Sequence, residues 1–203
     1  MTDEAPESPT VESAGRSGGG SREGAAGSAG AAGSSAPAGG STVDGGPAGD
    51  TPATRALAQG GVEHRVVRTE PAGSAEEAAQ LQGIPLGALL RTIVVRRGDD
   101  DYLFVLIPAG RRFDWPKLRK HLAVTRLSLP DADEAHAVTG YVRYTITPFG
   151  SARAWPVLVD ASVMTEPVVS VGGGARGVNI HLAPAALVEG LGADIVDVTG
   201  PEG

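Results

Sequence analysis

The chain contains no cysteine among its 203 residues, which excludes a disulfide framework, a thiolate metal site and cysteine nucleophile chemistry. Lysine is almost as scarce: Lys117 and Lys120 are the only two, and arginine carries the remaining positive charge. No apolar run approaches the ~20 residues needed to span a bilayer. The amino-terminal segment also lacks the basic start, apolar run and cleavage site of a secretory signal, and the Arg-rich character of a transit peptide. No membrane partner is expected, and the cytoplasm is the expected location. Leu, Ile, Phe, Tyr and Trp are all missing from residues 1–50. That stretch of Gly, Ala, Ser, Pro and acids cannot bury enough apolar surface to offset its chain entropy, and is expected to form a disordered acidic tail. A single domain of ordinary size is then expected over 51–203.

The formal net charge is −7, of which seven tail acids against Arg16 and Arg22 take −5, leaving −2 for the domain. A nearly neutral domain argues against a nucleic-acid coat protein with a large basic face, but leaves room for a pocket that grips only the end of an RNA. His64, His121, His136 and His181 are scattered without metal-ligand spacing, and no G-x-S-x-G elbow occurs in residues 51–203. Neither a metal nor a cofactor is expected.

What is present reads as a mixture of short helices and strands. "ATRALAQGG" is a helix stopped by Gly60 and Gly61, and "EHRVVR" is a strand. "SAEEAAQLQG" is a helix with a capping box of Ser74 and Glu77, stopped at Gly83. "LLRTIVVRR" and "DYLFVLIP" form a hairpin, the second strand apolar on both faces and therefore central. "DWPKLRKHL" is a helix capped by Asp114 with Pro116 in its first turn, and "DADEAHAVTG" is a helix capped by Asp131. "RLSL", "VRYTIT", "PVLVDA", "PVVSV" and "VNIHL" read as strands, "APAALVEGLG" as a helix, and "DIVDV" as the closing strand. This is mixed α/β rather than strict βαβ alternation.

The stretch "VSVGGGARGVNIHL" carries a G-x-G-x-x-G string at Gly172, Gly174 and Gly177. In a dinucleotide site a helix must follow the glycines, because the pyrophosphate sits on its N-terminus. Here "VNIHL" alternates with period two, so a strand follows and no dinucleotide is expected. The glycines read as a hairpin connection whose backbone N–H groups, near Arg176, can form a small anion-binding concavity.

Several of these pieces, in this order, resemble the YbaK/EbsC family, the prolyl-tRNA-synthetase-associated editing domain. They are "LLRTIVV", "YLFVLIPAGRRFDWPKLRKHL", "TGYVRYTITPFG", "WPVLVDAS" and "VSVGGGARGVNIHL", spanning roughly Ala72 to Asp197. The resemblance implies a single domain with a strongly curved mixed β-sheet and flanking helices. It also implies a free-standing aminoacyl-tRNA deacylase, which hydrolyses the ester of tRNA charged with a small wrong amino acid such as alanine or cysteine. The implied partners are the aminoacylated tRNA 3′ end and an aminoacyl-tRNA synthetase. Many members have no side chain that can act as general base, so a substrate hydroxyl or a held water is the implied proton partner.

Two departures from the family pattern bear on that activity. The family lysine that opens the strand after the second helix is Arg91 here; arginine can hold a phosphate or carbonyl oxygen but cannot act as a base. The family's G-G-x-S-P loop reads Tyr144, Thr145, Ile146, Thr147, Pro148, so two side chains stand where glycines let the backbone approach a ligand. The resemblance makes Arg91 and Thr147 the candidate catalytic residues. Tyr144, Thr145, Pro148, Gly150, Gly173, Gly174 and Arg176 are the candidate substrate-binding residues. Asp160 matches a recurrent family aspartate and is read as the cap of the turn that follows it. The departures also motivate a second possibility, a non-catalytic module on the same fold that grips a tRNA acceptor end or docks on a synthetase.

Overall fold

Thr51 opens the first helix, α1 (Pro52–Gln59). Its hydroxyl accepts from the Thr54 N–H, while the Thr54 hydroxyl accepts from the Thr51 N–H, so two otherwise orphaned donors are satisfied reciprocally. The structure, a computed structural model, describes residues 50–201, and the expected tail, Asp50 apart, lies outside the described residues.

The remaining helices carry the capping signals read from the sequence. In α2 (Ala75–Gln82) Ser74 accepts from the Glu77 N–H, and Gly83 ends the helix at φ 66°. The Glu77 carboxylate, however, closes on the Gly73 N–H at 2.7 Å and not on Ser74. Asp114 caps α3 (Trp115–His121) and Asp131 caps α4 (Ala132–Thr139), each accepting from the N–H three residues on. The last helix is α5 (Pro184–Leu191).

Two sheets carry the domain. The first has the order β2 (Leu90–Gly98), β3 (Asp101–Pro108), β5 (Val157–Asp160), β8 (Asp194–Val196). The β2–β3 pair is the antiparallel hairpin expected, while β3–β5 and β5–β8 are parallel, which makes the sheet mixed. The second sheet is antiparallel, with β7 (Val178–Leu182) between β1 (Arg65–Arg68) and β6 (Val169–Gly172). A parallel bridge between Leu89 and Ser170 joins the two sheets.

β3 is buried on both faces, as its unbroken apolar run requires. Tyr102, Phe104 and Leu106 enter a larger core with Leu57, Val169, Val171, Ile180, Leu182 and Leu187. Leu103, Val105 and Ile107 enter a second core with Leu118 of α3, Val196 and Val198.

Three segments differ from the expectation. "VRYTIT" forms no strand: after Gly140 the chain runs as turns and loop to Gly150. Its alternation of buried and exposed side chains comes from a loop wedged against the domain. "RLSL" contributes only an isolated bridge, Arg96 to Ser128, fixed by the Arg96 Nε–Ser128 Oγ hydrogen bond of 3.0 Å. "DIVDV" is not the last strand, because β9 (Thr199–Pro201) follows it and pairs with β4 (Arg111–Phe113) in a two-stranded ribbon. At three residues each, these strands are too short to show a period.

Candidate active site

The loop from Tyr141 to Gly150 hangs between α4 and β5. One carboxylate fixes α4: Glu134 accepts from the Tyr102 hydroxyl at 2.5 Å and from Arg96 Nη1 at 3.0 Å. Gly140 then turns the chain out of the helix at φ 76°. Tyr141 folds its ring inward, and its hydroxyl donates to the Phe149 carbonyl at 2.7 Å, closing the loop across its base. Burial pushes the Tyr141 phenol up to about 12, so it stays a neutral donor.

Inside this clasp, Val142 to Thr145 forms a tight turn. The Val142 carbonyl accepts both the Thr145 N–H at 3.1 Å and the Thr145 hydroxyl at 2.8 Å. Arg143 and Tyr144 are its central residues, and Tyr144 has φ 72°, the left-handed geometry for which such turns select glycine. The family's first loop glycine thus corresponds to a position that needs its conformational freedom, yet a tyrosine occupies it. The Tyr144 ring is 76% exposed, so it points outward, not into the loop. Thr145 and Thr147 are buried, and the Thr147 hydroxyl has no hydrogen-bond partner among the described residues.

The glycine hairpin lies directly on this loop. Gly172 pairs with Asn179 across the β6–β7 turn, and Gly173 N–H donates to the Val178 carbonyl at 2.9 Å. A strand therefore follows the glycines, as the alternation of "VNIHL" predicts. A Cβ on Gly172 would stand 3.4 Å from the Ile146 carbonyl, and one on Gly174 would stand 2.8 Å from the Tyr141 ring. At Gly172 a side chain would meet the loop backbone at ordinary contact distance, whereas at Gly174 it would crowd the Tyr141 ring. Arg176, near the hairpin tip, reaches back so that its guanidinium carbon is 5.8 Å from the Tyr144 ring centroid, with that of Arg143 at 5.0 Å. The start of α1 completes the junction. Thr51 donates to the Gly173 carbonyl at 2.6 Å, and Gly150, at φ 65°, is pressed against the Pro52 carbonyl.

Tyr144, Thr145, Gly150, Gly173, Gly174 and Arg176 are thus tied through one loop–hairpin junction, and Thr147 and Pro148 belong to the same loop. Arg91 makes its contact elsewhere: exposed on β2, its guanidinium donates to the Arg111 carbonyl at 2.5 Å. Arg111 in turn donates through Nε to the Thr199 hydroxyl at 2.6 Å. The Thr199 hydroxyl donates to Asp160, which is 1% exposed. Burial pushes the Asp160 carboxyl up, but hydrogen bonds from the Ser162 hydroxyl and N–H, the Val198 N–H and Thr199 outweigh it and hold it below the usual range. Asp160 caps the turn that follows β5, as read, and also anchors the approach to β9.

Sequence reasoning passed over one polar cluster. His181 is 3% exposed; its Nε2 shares Gln82 Oε1 with the Ser170 hydroxyl, at 2.9 and 2.6 Å, and Arg65 lies 3.1 Å from its Nδ1. With Arg65 donating to Nδ1, Nε2 carries the proton and the ring is neutral. The signal for this cluster was a histidine within an apolar stretch, too weak to separate from a solvated strand residue. Among the described residues no group of three or more His, Asp or Glu side chains is placed to hold a metal ion, and no helix is long and apolar enough to cross a membrane.

Comparison with known proteins follows the same segments. The aminoacyl-tRNA editing domain model matches residues 69–189, from the end of β1 through the loop and the hairpin into α5. A protein of Enterococcus faecalis named as a Cys-tRNA(Pro)/Cys-tRNA(Cys) deacylase, EbsC, is 26% identical over 140 residues, 69% of this chain and 85% of that protein. The multifunctional Ser/Thr-tRNA deacylase ProXp-y of Escherichia coli is 29% identical over 96 residues, 46% of this chain and 58% of that protein. A crystal structure described as a trans-editing enzyme for prolyl tRNA synthetase superposes with a TM-score of 0.69 at 24% identity, over 79% of this chain and all of that one. The editing-domain match over residues 69–189, more than half of the chain, accordingly places this chain in the aminoacyl-tRNA editing domain family.

Proposed function

We propose that the protein is an aminoacyl-tRNA deacylase, acting in trans on mischarged tRNA, with its reaction centre at the junction of the Tyr141–Gly150 loop and the glycine hairpin. The observation that carries this reading is the editing-domain match over residues 69–189, which contains both walls of the junction. The reaction needs an ester carbonyl polarised, a water delivered to its carbon, and a proton returned to the ribose oxygen as the carbon–oxygen bond breaks. The Ile146 and Thr147 N–H groups take no part in the turn hydrogen bonds of the loop, and are the donors offered to the developing oxyanion. The buried Thr147 hydroxyl, unpartnered among the described residues, is assigned to hold the attacking water, since a buried polar group without a protein partner is most simply satisfied by one. A guanidinium is a hydrogen-bond donor without acceptor capacity, so the part of Arg91 is electrostatic: it steers or holds the RNA end.

The test is a panel of tRNAs charged with cognate and non-cognate amino acids, with ester loss followed against buffer. Hydrolysis of one or more mischarged species is expected, with Thr147→Val lowering kcat by at least about tenfold, a modest loss on the scale of a removed positioning group. Arg91→Ala is expected to raise KM and leave kcat near its starting value. If every charged tRNA survives at the buffer rate while still being bound, the non-catalytic module is the correct reading; Tyr144 and Thr145 standing in place of the loop glycines are what favour that alternative.

A further inference from the structure

We infer that Tyr144, flanked by Arg143 and Arg176, is a stacking platform for an unpaired nucleobase of RNA. The inference rests on the deacylase reading only for which RNA it is, the single-stranded 3′ end that carries the aminoacyl ester.

Among the described residues the ring is the most exposed of the large apolar side chains, at 76%. It stands at a backbone position, φ 72°, where any residue with a Cβ is disfavoured. An exposed aromatic standing where glycine fits best, outside both hydrophobic cores, calls for a role outside the fold. Two guanidinium groups lie within about 6 Å of its centroid, the range of a cation–π contact. One comes from the loop and the other from the hairpin, so the platform bridges both walls of the proposed reaction centre. An aromatic ring with two guanidinium groups over it, each able to stack on a base or to hold a phosphate, fits a ligand that offers a flat π surface and negative charge together. A nucleobase with its phosphates does so, whereas an apolar peptide anchor would meet two charged neighbours. Arg143 and Arg176 form no ion pair among the described residues, which leaves their charge available to phosphate. A base stacked here would put the adjoining nucleotide over the Thr145–Thr147 segment.

The probe is an uncharged RNA hairpin with a four-nucleotide unpaired 3′ tail containing 2-aminopurine, whose fluorescence falls when the base stacks. Saturable quenching by the full chain is expected. Tyr144→Gly, which suits the backbone geometry and should fold normally, is expected to abolish the quench and weaken binding at least about fivefold, the lower end for removal of a base–aromatic stack. Tyr144→Phe should retain both. The Arg143→Ala/Arg176→Ala double variant should bind more weakly and with a shallower salt dependence. Absence of quenching by the unaltered chain, or unchanged quenching and affinity in Tyr144→Gly, overturns the platform; a protein ligand at this site would give the first result. Deacylation measured alongside separates the two readings. Quenching without hydrolysis of any mischarged tRNA removes the enzyme and leaves the platform, whereas hydrolysis with an unaltered KM in Tyr144→Gly removes the platform and leaves the enzyme.

Discussion

Gly83 and Gly150 share a left-handed backbone, φ 66° and 65°, but differ in what surrounds them. A Cβ on Gly83 meets nothing within 4 Å, while one on Gly150 would fall 2.3 Å from the Pro52 carbonyl oxygen and 2.8 Å from the Ala53 nitrogen. Gly83→Ala therefore carries only the conformational penalty, about 1–2 kcal/mol. Gly150→Ala must also push α1 away from the loop, and is expected to destabilise by more than about 3 kcal/mol. Denaturant titration of the two variants checks the difference; equal destabilisation would mean that α1 yields freely. Tyr144 tolerates the same backbone region, and the contacts of its ring with Arg143 and Arg176 return only about 0.5–1 kcal/mol each at an exposed site. Those contacts are of the same size as the strain and leave the fold no net gain from the tyrosine, which is why a functional reason for it carries more weight than a structural one.

At the scale of elements, the His181 cluster ties β7 to β6, α2 and β1 by side chains as well as by strand pairing. Burial, and after it the Arg65 charge, holds the His181 ring below its ordinary value. The unfolded chain then takes up a proton more readily than the folded one. Stability contributed by the neutral ring is complete above the unfolded value of about 6.5 and is lost as pH falls below it. Unfolding free energy measured between pH 7 and pH 5 should decline with acidification, and His181→Gln should flatten that decline. Asp160 acts in a lower window: its depressed carboxyl stabilises above the unfolded value of about 4 and loses that contribution as pH falls further. Among the elements, those with a local cause were legible. Ser74, Asp114 and Asp131 announced their helices by caps, and the β2–β3 hairpin announced itself by its aspartates and Gly98. The loop misread as "VRYTIT" was not legible, because its buried–exposed alternation arises from packing against the hairpin some thirty residues on. The positions of the site candidates depend on the same long-range packing. The sequence could nominate Tyr144 and Arg176, but not place a guanidinium from the hairpin beside a ring from the loop.

For the whole molecule, a near-neutral domain conceals an uneven distribution of charge. Residues 102–130 hold six cations, Arg111, Arg112, Lys117, Arg119, Lys120 and Arg126, against the single acid Asp114. Lys117 is engaged by Asp197 at 2.8 Å, whereas Arg112, Lys120 and Arg126 are exposed and form no ion pair among the described residues. Arg91, by its hydrogen bond to Arg111, sits at the edge of the same segment. A double reversal, Arg112→Glu/Lys120→Glu, is expected to weaken tRNA binding and to reduce its salt slope by about one for each phosphate no longer neutralised. An unchanged slope would show that RNA does not run over this face. The junction between the two ends of the domain has a temporal meaning as well. Thr51 is bonded to Gly173, and β1 pairs with β7, so the first described segments find their partners only after more than a hundred further residues have been synthesised. Pairings of such separation form late, because the intervening loop must close before any bond rewards it. A chain still emerging from the ribosome therefore lacks the junction, and proofreading begins only once the hairpin has been made.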